Sequence, residues 1–147
     1  MRDRSLGRRR VVGMASTLPT ASGSYGDKPE LTFPEGEAPA ELEVQVLEQG
    51  TGALVEAGQT IEVNYLGQVW GGSVFDNSYD RGSSIGFPIG VGRVIAGWDN
   101  GLVGQQVGSR VLISIPPHEG YGPMGNARAG IRGDDTLVFV VDVIDAR

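Results

Sequence analysis

Apolar and polar residues alternate along four stretches of the chain, with the period of two that is typical of a strand with one buried face. The apolar positions are Leu42, Val44 and Val46; Ile61, Val63 and Tyr65; Val111, Ile113 and Ile115; and Leu137, Phe139, Val141 and Val143. Glycine-rich turn signals lie between these stretches, for example at residues 48–52 and 104–108,. The pattern predicts four strands, and a short run at residues 74–78 predicts a fifth.

Only one segment has the apolar spacing of a helix. Ile95, Trp98 and Leu102 fall at positions i, i+3 and i+7, which places them on one face of about two turns that end near Gly104. Two glycines lie inside this segment, and each costs about 1 kcal/mol relative to alanine, so packing must hold the helix. We therefore predict an α+β fold in which a curved antiparallel sheet of about five strands wraps around one short α-helix.

The N-terminal part of the chain has a different composition from the strand-forming part. Residues 15–40 are rich in Ser, Thr, Gly, Pro, Glu and Ala, and their few large apolar side chains cannot offset the entropy lost on ordering. This composition predicts a disordered leader over residues 1–37 and one folded domain over residues 38–147. Met14 begins an ordinary N-terminal sequence, which suggests the hypothesis that residues 1–13 are an over-called start.

The charge distribution argues against a nucleic-acid partner. The net charge is −6, although residues 1–13 contain five arginines and one aspartate, so the rest of the chain is more acidic still. Nucleic-acid affinity requires Lys and Arg to neutralise phosphates. We also expect no membrane partner, since no span of about 20 apolar residues occurs and the first apolar run is shorter than a secretory signal. These missing signals predict a cytoplasmic location, and an acidic monomer is the expected form.

Several classes of catalysis lack the residue types that they require. The chain has no cysteine, no serine in a Gly-x-Ser-x-Gly turn and a single histidine, His118, which argues against nucleophilic catalysis and a histidine metal site. No P-loop lysine follows Gly90-Val91-Gly92,, and Asp134-Asp135 are more simply explained as solvated turn residues. We therefore predict no metal and no cofactor. What remains is a set of aromatic residues from the predicted elements, namely Tyr65, Phe75, Phe87, Trp98, Tyr121 and Phe139.

Ordered motifs over residues 42–145 carry a family resemblance. They are Val63-Asn64-Tyr65-Leu66-Gly67, Val74-Phe75-Asp76-Asn77-Ser78, Val94-Ile95-Ala96-Gly97-Trp98-Asp99-Asn100-Gly101-Leu102, Val107-Gly108-Ser109-Arg110, Ile115-Pro116-Pro117, Tyr121-Gly122 and Thr136-Leu137-Val138-Phe139. In this order they resemble the FKBP family of immunophilin peptidyl-prolyl cis-trans isomerases, in particular its small single-domain members of bacterial type. The fold of that family, a sheet wrapped over one short helix, agrees with the fold predicted above.

The resemblance also implies a site. It predicts a hydrophobic cleft formed by Tyr65, Phe75, Phe87, Val94, Ile95, Trp98 and Phe139. Trp98 is expected to form the floor under the prolyl ring, with Phe139 beside it as a further catalytic residue. Tyr121 would donate its hydroxyl to a substrate carbonyl, Asp76 would accept a hydrogen bond at the pocket wall, and the backbone N–H of Ile95 would anchor a second carbonyl. Ile131 would lie on a flap over the pocket.

The implied activity is acceleration of rotation about X-Pro peptide bonds during protein folding. Proline-containing polypeptides are the expected substrates, and macrolides such as rapamycin are expected as further ligands. Three departures from the family pattern bear on flap rigidity, macrolide affinity and substrate preference. Ile85 stands where many members have an aromatic residue, the flap has Ile131-Arg132-Gly133 in place of Ile-Pro-Pro, and residues 124–130 are rich in Gly and Ala.

Two alternatives use the same cleft. The domain could bind proline-containing peptides without turning them over, or it could act as a folding chaperone. The presence of Asp76, Trp98, Tyr121 and Phe139 favours catalysis over simple binding. Only fourteen residues separate Tyr121 from Thr136, too few for the insert that chaperone-active relatives commonly carry in the flap region.

Overall fold

The computed structural model describes residues 18–147, and within that range the chain forms eight strands and two short α-helices. The elements in chain order are β1 (Thr20–Ala21), β2 (Leu31–Thr32), β3 (Glu43–Glu48), β4 (Thr60–Val69), β5 (Val74–Asn77), α1 (Ser78–Arg81), β6 (Ile85–Pro88), α2 (Ala96–Leu102), β7 (Arg110–Ile115) and β8 (Leu137–Ala146). Three single turns of 3-10 helix, Pro117–Glu119, Gly122–Met124 and Ala127–Ala129, lie between β7 and β8. The predicted α+β fold is confirmed.

The main sheet is antiparallel and contains the six strands β3 to β8. Its order is β3-β7-β8-β4, and the outer edge of β4 is shared by two strands that follow each other along it. One end of β4 pairs with β6 through Ile61 and Phe87, and the other end pairs with β5 through Gly67 and Asp76. Between β5 and β6 the chain departs from the sheet to form α1. An opening therefore remains at this edge of the sheet, between the two strands.

Helix α2 packs directly on β7, and its two glycines make this possible. A Cβ atom at Gly97 would lie 2.6 Å from the side chain of Ile115, and one at Gly101 would lie 3.0 Å from that of Ile113. Real Cβ atoms essentially never approach other heavy atoms to 2.6 Å, so a larger residue at Gly97 would push the helix away from the sheet. The prediction that packing, not propensity, holds this helix agrees with these distances.

The other face of the sheet is covered by the segment of residues 18–33, which we call the strap. Its strands β1 and β2 form a two-stranded hairpin. The apolar contact consists of Leu18, Ala21, Leu31 and Phe33 on the strap and of Leu112, Val138 and Val140 on the sheet. Strands β7 and β8 are therefore buried on both faces, with the α2 core on one side and the strap on the other.

A buried ion pair joins the sheet to the strap. Arg110 of β7 donates from Nε to Oδ1 of Asp142 on β8 at 2.7 Å, and both side chains are 1% exposed. The N–H of Gly26 donates to Asp142 at 2.9 Å, and Arg110 donates to the carbonyl of Asp27. The prediction of a disordered leader over residues 1–37 is thus wrong for residues 18–33, because few but well-placed side chains order the strap. Residues 1–17 lie outside the described part of the chain.

Three further details differ from the predictions. The alternating pattern of β3 predicts that Val44 and Val46 are buried, but they are 39% and 38% exposed, because β3 is an edge strand and α2 packs on its neighbour β7. Strand β6 and the one-turn helix α1 were not predicted, since each spans only four residues.

Along residues 18–147, no helix is both long and apolar enough to cross a bilayer.

Candidate active site

A cleft of about 610 Å³ opens where β4, β5 and β6 leave room above the N-terminal end of α2. Its walls come from these three strands, from the loop of residues 92–95, from β8 through Phe139, and from Tyr121. A volume of this size falls within the range of about 300–1,000 Å³ that small-molecule sites occupy. The cleft is therefore large enough for a small ring and its flanking groups.

Trp98 forms the centre of an aromatic cluster at the base of the cleft. Its ring lies 5.3 Å from that of Tyr65 and 5.1 Å from that of Phe139, both nearly perpendicular to it, and 5.2 Å from that of Phe87. Phe75 meets Phe139 edge to face at 5.6 Å. Such contacts are favourable for aromatic quadrupoles and hold the rings in fixed orientations. The result is a rigid apolar surface.

Gly67 permits this cluster to form. It lies on β4 opposite Phe139 of β8 and Asp76 of β5. A Cβ atom at Gly67 would lie 2.6 Å from the ring of Phe139 and 2.8 Å from the ring of Phe75. The absence of a side chain here lets both rings approach the strand closely, so Gly67 contributes to the shape of the cleft,.

Asp76 is held at the cleft wall by two partners. It accepts a hydrogen bond from the Tyr65 hydroxyl, and it pairs with Arg81 of α1, whose Nη1 lies 2.5 Å from Oδ1. Arg81 also donates to the Tyr65 oxygen at 3.1 Å. Burial raises the pKa of Tyr65, and its hydrogen bond to Asp76 raises it further. The three groups form a closed network that keeps Tyr65 protonated and Asp76 in one position.

The Tyr121 hydroxyl and the Ile95 N–H at the cleft have no acceptor within residues 18–147, and neither has the buried indole N–H of Trp98. The hydroxyl of Tyr121 makes no hydrogen bond there, and the side chain is 40% exposed. The N–H of Ile95 precedes the first turn of α2, where backbone donors have no intrahelical partner, and it donates to no described group. The Tyr121 hydroxyl and the Ile95 N–H are free to bind carbonyl oxygens of a ligand in the cleft.

The structure brings nine of the ten predicted site residues to the cleft: Tyr65, Phe75, Asp76, Phe87, Val94, Ile95, Trp98, Tyr121 and Phe139. Ile131 is not among the residues that line it. Both backbone polar groups of Ile131 bond to Asn126, and its side chain is 4% exposed in the core. The segment thus turns Ile131 inwards, and it does not form the expected flap contact.

Four lining residues were not assigned to the site from the sequence: Ile85, Gly86, Gly92 and Arg93. Ile85 was identified only as a departure from the family pattern. Arg81 was also missed, although it stands five positions after Asp76 and on the short helix that follows. Arg93 immediately precedes the motif that contains Val94 and Ile95, and this proximity is the signal that could have identified it.

An antiparallel sheet wrapped over a short helix, with an aromatic cleft between them, defines the class of α+β domains with a ligand-sized aromatic cleft. The chain belongs to one family of this class, the FKBP-type peptidyl-prolyl cis-trans isomerases, whose family model matches residues 52–144. The family prediction made from the sequence is confirmed.

Similar proteins are found in bacteria and among solved structures. The chain is 42% identical over 119 residues to the "FK506-binding protein" of Streptomyces anulatus, covering 80% of this chain and 96% of that protein. It is 39% identical over 121 residues to the "Probable FK506-binding protein" of Corynebacterium glutamicum, covering 82% and 99%. The crystal structure of AtFKBP13 superposes with a TM-score of 0.67 at 33% identity, covering 75% of this chain and 96% of that one.

The activity follows from the family. The protein is a peptidyl-prolyl cis-trans isomerase that accelerates rotation about X-Pro bonds. The reaction breaks no covalent bond, which agrees with a cleft built from aromatic rings and free hydrogen-bond donors.

Proposed function

We propose that Asp76, Trp98, Tyr121 and Phe139 carry the isomerase reaction and that Tyr65, Phe75, Phe87, Val94 and Ile95 bind the substrate. The prolyl ring lies on the Trp98 indole, with the rings of Phe87 and Phe139 on either side. The support is the aromatic cluster around Trp98, whose three neighbouring ring centroids lie within 5.3 Å. The prolyl segment is thereby held in an apolar surface while its peptide bond is free to rotate.

The apolar cleft favours the twisted state of the peptide bond over the planar one. A planar amide is stabilised by resonance, which opposes rotation with a barrier of about 18–20 kcal/mol. In the twisted state resonance is lost and charge separation is smaller, so removal from water costs it less. A cleft that binds the twisted state more tightly lowers the barrier, and each 1.36 kcal/mol of such a difference gives about a tenfold increase in rate.

The two free donors position the carbonyls that flank the rotating bond. The Ile95 N–H and the Tyr121 hydroxyl both have no acceptor within the described residues, so neither must break an existing hydrogen bond to donate to a substrate carbonyl. Fixing one side of the amide while the other side turns requires such anchors. Asp76, which Arg81 and Tyr65 hold in place, provides an acceptor on the opposite wall.

The proposal also covers the substrates, the small-molecule ligands, the oligomeric state and the cellular location of the protein. We propose that the clients are proline-containing segments of folding polypeptides and that macrolides of the rapamycin type occupy the same cleft. Support comes from the apolar lining of the cleft and from relatives that are named FK506-binding proteins. A monomeric state and a cytoplasmic location are the remaining predictions, which sedimentation and cell fractionation would test.

The test is the rate of cis-to-trans conversion of a short Leu-Pro or Phe-Pro peptide in the cold, where the uncatalysed reaction is slow. We expect strong acceleration by the wild-type protein. Asp76→Ala and Tyr121→Phe should each lower kcat/KM by about 3- to 10-fold, since each removes one hydrogen bond at the cleft. Asp134→Ala, which removes an exposed carboxylate outside the cleft, is the matched control and should keep the wild-type rate.

The same experiment separates the isomerase from the two alternatives that share its cleft. A folded wild-type protein that binds the peptide without accelerating its conversion would be a binding module. A chaperone would suppress aggregation of an unfolded protein that contains no cis proline, and Tyr121→Phe would leave that suppression intact. Loss of acceleration in the cleft variants with unchanged far-UV circular dichroism would support the assigned residues.

A further inference from the structure

Arg93 places a positive charge at the mouth of the cleft. It lines the cleft, its side chain is exposed, and it directly precedes Val94 and Ile95 on the loop that leads into α2. Lys28, Arg81, Arg110, Arg132 and Arg147 each lie close to a carboxylate. Among residues 18–147, only Arg93 and Arg128 have no carboxylate partner, and Arg128 does not line the cleft.

The loop that carries Arg93 is fixed by hydrogen bonds that do not involve its side chain. Asp99 of α2 accepts from the N–H of Gly90 at 2.7 Å and from the N–H of Gly92 at 3.0 Å. Both glycines have φ near +80°, a conformation that favours glycine and so defines the loop. Asp99, the carboxylate nearest to this loop along the chain, thus bonds to backbone donors and forms no ion pair with Arg93. The Arg93 guanidinium remains available to a ligand.

The remaining charges of the cleft largely compensate each other. Asp76 is the one acidic residue in the lining, and it is paired with Arg81 and bonded to Tyr65. Arg93 is the uncompensated charge at the mouth, although the protein as a whole has a net charge of −6. A general negative field would repel acidic substrates, whereas a local cation at the cleft would attract a carboxylate placed beside the bound proline.

From this arrangement we propose that Arg93 is a specificity-determining residue which favours X-Pro segments with an acidic side chain next to the X-Pro pair. This inference rests on the proposed use of the cleft for the prolyl segment and names the class of substrate that it prefers. The prolyl ring lies on Trp98, the chain on one side of it passes the loop of residues 92–95, and a flanking Asp or Glu pairs with the guanidinium.

The test uses peptide pairs that differ only by Glu or Gln at one of the two positions that flank the X-Pro pair, namely the second residue before proline or the residue after it. For at least one position, the wild-type kcat/KM should be about 3- to 5-fold higher for the Glu peptide, near the upper end for an exposed ion pair. The ratio should fall towards one in about 0.5 M NaCl, because salt screens exposed charges. Arg93→Gln should abolish the preference, and Arg93→Glu should invert it.

Arg128→Gln is the matched control, since it removes the other unpaired arginine at a site outside the cleft. It should retain the wild-type Glu/Gln ratio. The ratio is measured within each variant, so a general loss of activity or stability cancels. A wild-type ratio of one at both positions, or an equal drop in the ratio for Arg128→Gln, would overturn the inference while acceleration of the Gln peptides left the proposed function standing. If no peptide were accelerated at all, the proposed function and this inference would fall together.

Discussion

Arg110 and Asp142 form an ion pair between β7 and β8 on the face of the sheet opposite the cleft, with both side chains 1% exposed. The carboxylate of Asp142 also accepts hydrogen bonds from the Tyr79 hydroxyl at 2.8 Å and from the N–H of Gly26 at 2.9 Å. One buried carboxylate thus connects the sheet, the helix α1 and the strap. Such a pair is costly to break, because the partner left behind is an uncompensated buried charge.

Asp142→Asn should therefore destabilise the protein by about 3–5 kcal/mol, since it leaves the Arg110 guanidinium buried without a counter-charge. Chemical denaturation at neutral pH measures the change in the free energy of unfolding. The control is Asp145→Asn on the same strand, which removes an exposed carboxylate paired with Arg147 and should cost at most about 1 kcal/mol. Equal effects of the two substitutions would show that the buried pair has no special role.

Removal of the strap should also destabilise the domain, although the family match begins only at residue 52. A chain that starts at residue 34 exposes Leu112, Val138 and Val140 and deprives the Arg110–Asp142 pair of its backbone partners. We expect a loss of about 3 kcal/mol or more from the exposed apolar area and the unsatisfied polar groups together. Urea unfolding of the truncated and full chains provides the measurement, and coincident unfolding curves would contradict the prediction.

The two glycines of α2 allow a graded test of the contact between helix and sheet. Gly97→Ala places a Cβ atom 2.6 Å from Ile115, whereas Gly101→Ala places one 3.0 Å from Ile113. Alanine favours a helix by about 1 kcal/mol over glycine at either position, but overpacking costs about 1–3 kcal/mol. Gly97→Ala should be clearly destabilising and Gly101→Ala nearly neutral.

Thermal unfolding of both alanine variants measures this difference. Because the change in helix propensity is the same at both positions, the gap between the two variants reports the clash alone. Gly97→Ala should in addition lower isomerase activity more than Gly101→Ala, since it displaces the neighbouring Trp98. Two variants of equal stability would mean that α2 shifts freely on β7.

High pH should weaken the link between α1 and the ion pair. Burial raises the pKa of Tyr79 above the ordinary tyrosine value, and the hydrogen bond to Asp142 raises it further. The unfolded chain then loses the Tyr79 proton at a lower pH than the folded protein does. The contribution of Tyr79 to the free energy of unfolding is consequently present in full below about pH 10 and declines as the pH rises further.

Tyr79→Phe isolates this effect. At pH 7 the variant should be less stable than the wild type, because it lacks one hydrogen bond to a charged group. The difference in the free energy of unfolding should narrow between about pH 10 and pH 11.5, where the unfolded wild-type chain ionises the tyrosine. A difference that stays constant over this interval would contradict the assigned direction of the pKa change.

Much of the fold and most of the site could be predicted from the sequence. The alternating pattern identifies β4, β7 and β8, since one face of each strand lies in the core with α2. The ordered motifs identify nine residues that line the cleft. Ile131 was misplaced because its orientation depends on two hydrogen bonds to Asn126, and such a local turn has no apolar periodicity.

The strap is the clearest failure of prediction, and a signal for it was present in the strands that it covers. Alternating residues of β8 were assigned to one buried face, but the intervening Val138 and Val140 are also apolar. A run of five apolar residues such as 137–141 is typical of a strand that is buried on both faces,, so something must cover the second face. The strap itself has few apolar residues, and composition alone therefore suggested disorder.

The family, the order of the strands along the chain and the aromatic composition of the cleft could be read from residue type and spacing. Which charges are paired depends instead on the folded chain. Arg110 and Asp142 stand 32 positions apart and become partners through the register of β7 and β8, whereas Arg93 has no carboxylate partner in the described part of the chain although Asp99 stands only six positions after it. Electrostatic interaction depends on distance and burial in space, and the folded chain sets both.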